Sequence, residues 1–256
     1  MSSFVTDFCI LSNNRIAYRN TRTAVKGRFI MYDLPLISCV SAFVISAAAF
    51  VFGAVRLLSR RTLAYFHFLI WGVACFVLLA LSACVNILCD AVFTQYIPIG
   101  AFGIIGVYTA LLCANFGVLD KIVDERSSET GKARHLAMIA PIISAITVIL
   151  LCIKYFSDGR YASAVLLILL SGPMIFGVYL NLKHLLLPVD DMGILNATRG
   201  CNFTCLVFSF IELFFMYSDA FRLTGLSGGL FVARSVALLG LMLFAVKGTE
   251  KWSLQI

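Results

Sequence analysis

The sequence predicts an all-α protein: a polytopic transmembrane helix bundle with seven membrane-spanning helices. Three observations carry this. The 256-residue chain is 61% hydrophobic and only 13% charged, against about 25% charged in an ordinary soluble domain, so too little polar surface exists to wet a globule. Its apolar residues gather into seven runs long enough for the roughly 20 residues that a helix needs to cross hydrocarbon. Every connection between the runs is short.

The runs fall at 34–56, 62–88, 93–118, 135–156, 161–183, 200–219 and 226–247. Arg60 and Arg61 separate the first two, Asp158-Gly159 the fourth and fifth, and Gly228-Gly229 lies just inside the start of the seventh. None has the period-2 alternation of a barrel wall, which excludes membrane strands. The longest links, 119–134 and 184–199, cannot hold a domain. The chain therefore divides into a basic N-terminal tail (1–33), a seven-helix domain (34–247) and a short C-terminal tail (248–256). The spacing of the runs is the membrane period alone, with no internal sequence repeat.

The lipid bilayer is the expected partner, in the cell or cytoplasmic membrane. The formal charge of +7 is scattered between apolar runs, so no phosphate-tracking patch forms and nucleic acid is excluded. No basic–apolar–small order marks a cleavable leader, which leaves insertion to the first apolar run. With the N-terminus outside, inner segments hold Arg56, Arg60, Arg61, Lys121, Arg126, Lys132, Arg134, Lys183, Arg199, Lys247 and Lys251, and outer loops hold Lys154, Arg160 and Arg222. This follows the positive-inside rule, although Arg15, Arg19, Arg22, Lys26 and Arg28 of the tail would lie outside. The expected orientation is N-out, C-in.

Small residues indicate where helices meet, because lipid gives no hydrophobic drive for association and close packing must supply it. The first run carries Ser38, Ser41, Ala42, Ser46, Ala49 and Gly53, and the third opens with Gly100, Gly103 and Gly106. Pro173, after Gly172 in the fifth run, removes a backbone hydrogen bond and predicts a kink.

Glu212 and Arg234 are the most informative polar residues. Counted from the run ends, both lie roughly 10–12 Å below the outer boundary at about 1.5 Å per residue. They sit on consecutive antiparallel helices, and an intramembrane charge costs about 2.5–3.5 kcal/mol on insertion scales unless it pairs or faces a wet cavity. An ion pair is expected. With Pro173 it is the candidate ligand or ion pocket. Asn86, Tyr108 and Asn115, with Thr109, Tyr179 and Asn181, are expected to make interhelical hydrogen bonds. Asn86 and Asn115 lie near opposite ends of their helices and should not meet.

His67, His135 and His184 have no His, Cys or carboxylate at ligand spacing, so neither metal nor haem is expected. Most of the nine Cys lie in apolar runs as small hydrophobes; a Cys9–Cys89 bridge requires both to face outward. Asn196-Ala-Thr and Asn202-Phe-Thr match the glycosylation pattern, but N-out topology places them inside or in the membrane. No cofactor is expected, and the absence of hydrolase, phosphate-loop, Rossmann and zincin patterns argues against an enzyme. Lys247 lies at the inner end of the seventh run, unlike the mid-helix lysine of retinal proteins, and Asp124-Glu125-Arg126-Ser127 without NPxxY departs from G-protein-coupled receptors. In helix count alone the layout resembles the seven-helix sensor regions of bacterial signalling proteins. The leading expectation is a receptor-like or sensory module acting with a separate signalling partner. The alternative is a small transporter or channel, or a membrane subunit of one, that uses the Glu212–Arg234 pair.

Overall fold

A computed structural model describes residues 25–58, 65–89, 99–115, 130–186 and 193–253. It contains seven helices, α1 (Val25–Gly53), α2 (Tyr65–Cys89), α3 (Ile99–Asn115), α4 (Thr130–Ser157), α5 (Tyr161–Leu186), α6 (Gly193–Ala220) and α7 (Thr224–Ser253). No strand occurs among the described residues. A single wide turn of π-helix, Ala54–Leu58, ends α1.

Six of the helices are long and apolar enough to span a membrane. α3 is the exception. It is apolar but only 17 residues long, about 25 Å at 1.5 Å per residue, and the rest of the run expected at 93–118 lies outside the described residues. α1 begins at Val25, although its apolar span starts only at Pro35. Lys26 and Arg28 therefore sit on helical backbone rather than in an extended tail. The Cys9–Cys89 pairing also falls outside the described side chains.

Packing links the helices in the order α1–α2–α3–α5–α6–α7 and back to α1, with α4 laid against α5 and α6. Two ends can be distinguished. The hairpin end carries the tight turns that join α4 to α5 and α6 to α7; Gly159 (φ 72°) and Arg222 (φ 55°) take the left-handed conformation there. The opposite end carries the C-termini of α3, α5 and α7.

Polarity is distributed inside out relative to a soluble bundle. α4 turns Ile139, Ile142, Ile146, Ile149 and Ile153, at helical three- and four-residue spacing, to the exterior. Meanwhile Asn115, Asn181, Lys183, His184, Asn202, Ser209, Glu212 and Arg234 are buried. In water this arrangement would be costly twice over; in lipid the apolar exterior is already in its preferred solvent.

Helices α2 and α3 cross with backbone against backbone. A Cβ placed on Gly106 would come within 2.8 Å of the Gly72 Cα and 2.9 Å of the Phe68 carbonyl. One placed on Gly72 would meet the Val107 nitrogen at 2.8 Å. Both obstacles are backbone, so neither can swing aside. The expected cost of Gly106→Ala is therefore about 1–3 kcal/mol, the range for overpacking a close-fitted interior. Gly229→Ala, with open space around it, should change stability by less than about 0.5 kcal/mol. Unfolding titrations in detergent micelles would measure both.

Candidate functional site

Three polar layers lie inside the bundle, and α6 contributes to each. Its buried face reads Asn202, Cys205, Ser209, Glu212, Met216 and Asp219, spaced three or four residues apart so that all face one side. From Asn202 to Asp219 this face runs about 25 Å at 1.5 Å per residue, most of the thickness of a hydrocarbon core.

The middle layer holds Glu212 and Arg234. Both side chains are almost fully buried, and Arg234 Nη1 donates to Glu212 Oε1 at 3.4 Å. Phe76 of α2, Phe215 of α6 and Phe231 of α7 close around the guanidinium, with ring centroids 4.9, 4.7 and 4.8 Å from its carbon. Such cation–π contacts are worth about 2 kcal/mol or more when water is excluded, and they replace part of the lost hydration. The carboxylate is less well served: Glu212 Oε2 is buried without a hydrogen-bond partner. One turn away, Tyr108 Oη lies 2.5 Å from Ser209 Oγ, which donates to the Cys205 carbonyl at 2.8 Å. Since that bond uses the serine proton, Tyr108 is the donor to Ser209. Its ring packs on Phe208 and against Gly177, where a Cβ would approach to 3.0 Å.

The layer at the opposite end is built from amides. Asn115 of α3 is fully engaged. Its Nδ2 donates to Asn181 Oδ1 and to the Leu111 carbonyl, each at 3.1 Å, and His184 Nδ1 lies 3.1 Å from its Oδ1. Asn202 of α6 is the reverse, with neither amide atom hydrogen-bonded, and Asn181 Nδ2 is likewise unpartnered. Asn115 and Asn202 border a cavity of about 30 Å³ between α2, α3, α6 and α7, with Cys201, Ala114, Ala245 and Thr249 among its walls.

At the hairpin end Arg160 donates to the Asp219 carboxylate at 2.5 Å and to its carbonyl at 3.0 Å, and Tyr155 donates to the same carboxylate at 2.8 Å. The guanidinium also stacks on the Tyr155 ring, 4.7 Å from its centroid. Nearby, Lys154 Nζ donates to Asp158 at 2.7 Å. That hydrogen bond, helped by the charges of Lys154, Arg222 and Arg160, holds the Asp158 carboxyl below its ordinary range.

The sequence-predicted residues thus separate into groups. Glu212 and Arg234 are brought together. Pro173 is half-buried on α5, which stays helical from Tyr161 to Leu186, and the rings around Arg234 come from α2, α6 and α7 instead. Asn86 is buried in α2 and is not among the partners of Asn115. The sequence reading took Asn202 only as a glycosylation match and Arg160 only as an outer-loop charge, and did not single out Ser209, Asp219 or Tyr155 as polar contacts; for the α6 residues the three- and four-residue recurrence of polar side chains was the signal available. Asn202 is also fully buried, which removes it as a glycosylation acceptor in the folded bundle. Among the described residues no His, Cys, Asp or Glu cluster could hold a metal ion.

Comparison with protein-family profiles, curated proteins and solved structures finds no match to this chain. Its fold and polarity define it as a multi-pass helical membrane protein.

Removing one member of a buried pair strands the other, at about 3–5 kcal/mol. Glu212→Ala and Arg234→Ala should each lose that much stability in micelles. The double variant should lose less than the sum, which a thermodynamic cycle reads as coupling. For Asp158 the sign is set by its lowered pKa: the contribution is present at neutral pH and disappears as pH falls through the folded-state value. Lys154→Ala should move that titration upward, toward an ordinary aspartate, as followed by carboxyl carbon NMR.

Proposed function

We propose that the chain is a small transporter or channel, or the membrane subunit of one, in which Glu212 is the intramembrane site and Arg234 its counter-ion. The observation that carries this reading is the unpartnered Glu212 Oε2 in a side chain with no exposed surface. A buried carboxylate oxygen normally finds a donor, and a pair kept only for packing could be replaced by apolar side chains at little loss. Intramembrane ionisable groups lie on ion and proton paths more often than elsewhere. The two further polar layers on the same face of α6 extend that argument toward both ends of the bundle.

A receptor-like module with a separate output partner is the second reading. It draws on the cage around Arg234. Three helices supply its rings, so a ligand that displaced any one of them, or α5 at Pro173, would rework the pair. In either case the proposed orientation is N-out, C-in, with the hairpin end outside.

Purified protein in sealed liposomes, driven by an imposed potential, tests the choice. Transport predicts a cation or proton current that Glu212→Gln reduces by at least about tenfold, a change of about 1.4 kcal/mol in barrier, while the variant remains folded. Absence of current from the wild type, together with ligand-dependent changes in α6–α7 accessibility, would favour the receptor-like module.

A further inference from the structure

The two turns at the hairpin end lie where the apolar spans stop. The spans of α4 and α6 end at Ser157 and Ala220, and those of α5 and α7 begin at Tyr161 and Gly225. Residues 158–160 and 221–224 therefore sit at the level of the lipid headgroups. Exposed Phe156, Tyr161, Tyr217 and Phe221 flank them, as rings do where hydrocarbon meets water. Within 154–160 and 219–222 there are three cations, Lys154, Arg160 and Arg222, and two carboxylates, Asp158 and Asp219. Arg160 and Asp219 neutralise one another in a nearly buried pair. Lys154 bonds Asp158, and that pair stays partly exposed. Arg222 is in surplus. Its guanidinium makes no hydrogen bond or ion pair among the described residues, although its charge reaches Asp158.

The backbone gives that surplus charge meaning. Arg222 holds φ at 55°, a left-handed conformation that glycine takes freely and a residue with a Cβ takes at a cost. The turn between α4 and α5 meets the same demand with a glycine, Gly159. A long cation kept where glycine fits better points to use of its charge. A second cation stands beside it. Lys154 Nζ lies 6.0 Å from the centroid of the Phe221 ring, so α4 reaches across to the residue preceding Arg222. Two exposed apolar stripes lead up to this meeting point, Ile146, Ile149 and Ile153 on α4 and Phe210, Phe214 and Tyr217 on α6. Their three- and four-residue spacing keeps each set on one face.

We propose that Lys154 and Arg222 form a site for the phosphate of an anionic phospholipid, whose acyl chains lie along the exposed faces of α4 and α6. The charge balance selects the headgroup. An uncompensated cation attracts a lipid of net negative charge, whereas a zwitterion would bring its own ammonium toward Lys154 and Arg222. The guanidinium fork takes two phosphate oxygens at once. Lys154 turns from Asp158 to the phosphate, and the exposed Asp158 carboxylate is left to water. Free phosphate shares this chemistry but has no chains for the two stripes. The surface is separate from the Glu212–Arg234 centre and does not rest on the transport reading.

Native mass spectrometry of the full chain in detergent, with phosphatidylglycerol or phosphatidylcholine added, tests this. Phosphatidylglycerol should bind at least about fivefold more tightly, the scale of one basic side chain at an anionic surface. Arg222→Gly removes the cation and relieves the left-handed backbone, so folding is not at risk. It and Lys154→Gln should each weaken phosphatidylglycerol binding about fivefold, while Asp158→Asn, which frees Lys154, should strengthen it. Carboxyl carbon NMR supplies a second readout. Bound phosphatidylglycerol takes Lys154 from Asp158, so the lowered Asp158 titration should move upward toward an ordinary aspartate. Equal affinity for the two lipids, or a preference that survives both substitutions, would overturn the proposal. An Asp158 titration unmoved by phosphatidylglycerol would overturn the site, and inorganic phosphate that displaces the lipid at equal concentration would overturn the lipid as its ligand.

Discussion

A polar group in hydrocarbon is costly unless it turns inward toward other polar groups of the protein, and that single constraint arranges this bundle. The isoleucine face of α4 can lie anywhere on the exterior because lipid is indifferent to it. Glu212, Arg234 and the amides cannot. Once they are drawn inward, the helices bearing them have fixed rotations: α6 must turn its Asn202–Asp219 face to the interior, and α7 must present Arg234 to it. The order of packing follows from these rotations rather than from hydrophobicity, which is nearly uniform around each helix.

Small residues and rings then fill what polarity leaves. Gly72, Gly103 and Gly106 let α2 approach α3 until backbone touches backbone, which brings Phe76 toward Phe208 (centroids 5.8 Å apart) and places its ring over Arg234. Gly177 does the same for α5, admitting the Tyr108 ring. The close crossings and the charged centre are thus mechanically linked. The rings that stabilise the guanidinium are held by helices whose spacing depends on glycine.

The membrane-spanning character and six of the seven spans were legible because run length and hydropathy are local quantities. The approach of Glu212 to Arg234 was legible too, since equal depth on adjacent antiparallel helices needs only counting and a short loop. The remaining apolar run, read at 93–118, corresponds to α3. The described part of α3, Ile99–Asn115, falls within that run, and the remainder of 93–118 lies outside the described residues. The Asn115–Asn181–His184 network was not legible, because α3 and α5 are not consecutive and their contact depends on how the whole ring closes. His184 read as a residue near a helix end with no ligand partner; its partner is an amide 69 positions away. Pro173 could be read as a helix irregularity, but the helix that carries it faces a different set of neighbours from those around Arg234.

The unmet polar atoms along α6 are the strongest support for the proposed transport reading. At the hairpin end Asp219 receives donors from two neighbouring residues, Arg160 and Tyr155. At the other end Asn202 receives none, although His184 and Asn115 are satisfied in the same layer. A bundle under selection for stability alone would fill such a position with Leu or Ala, since each unsatisfied amide costs more than its apolar replacement. Glu212 Oε2 and the Asn202 amide, both buried without a hydrogen-bond partner, are positions on α6 where the interior departs from what packing alone would select.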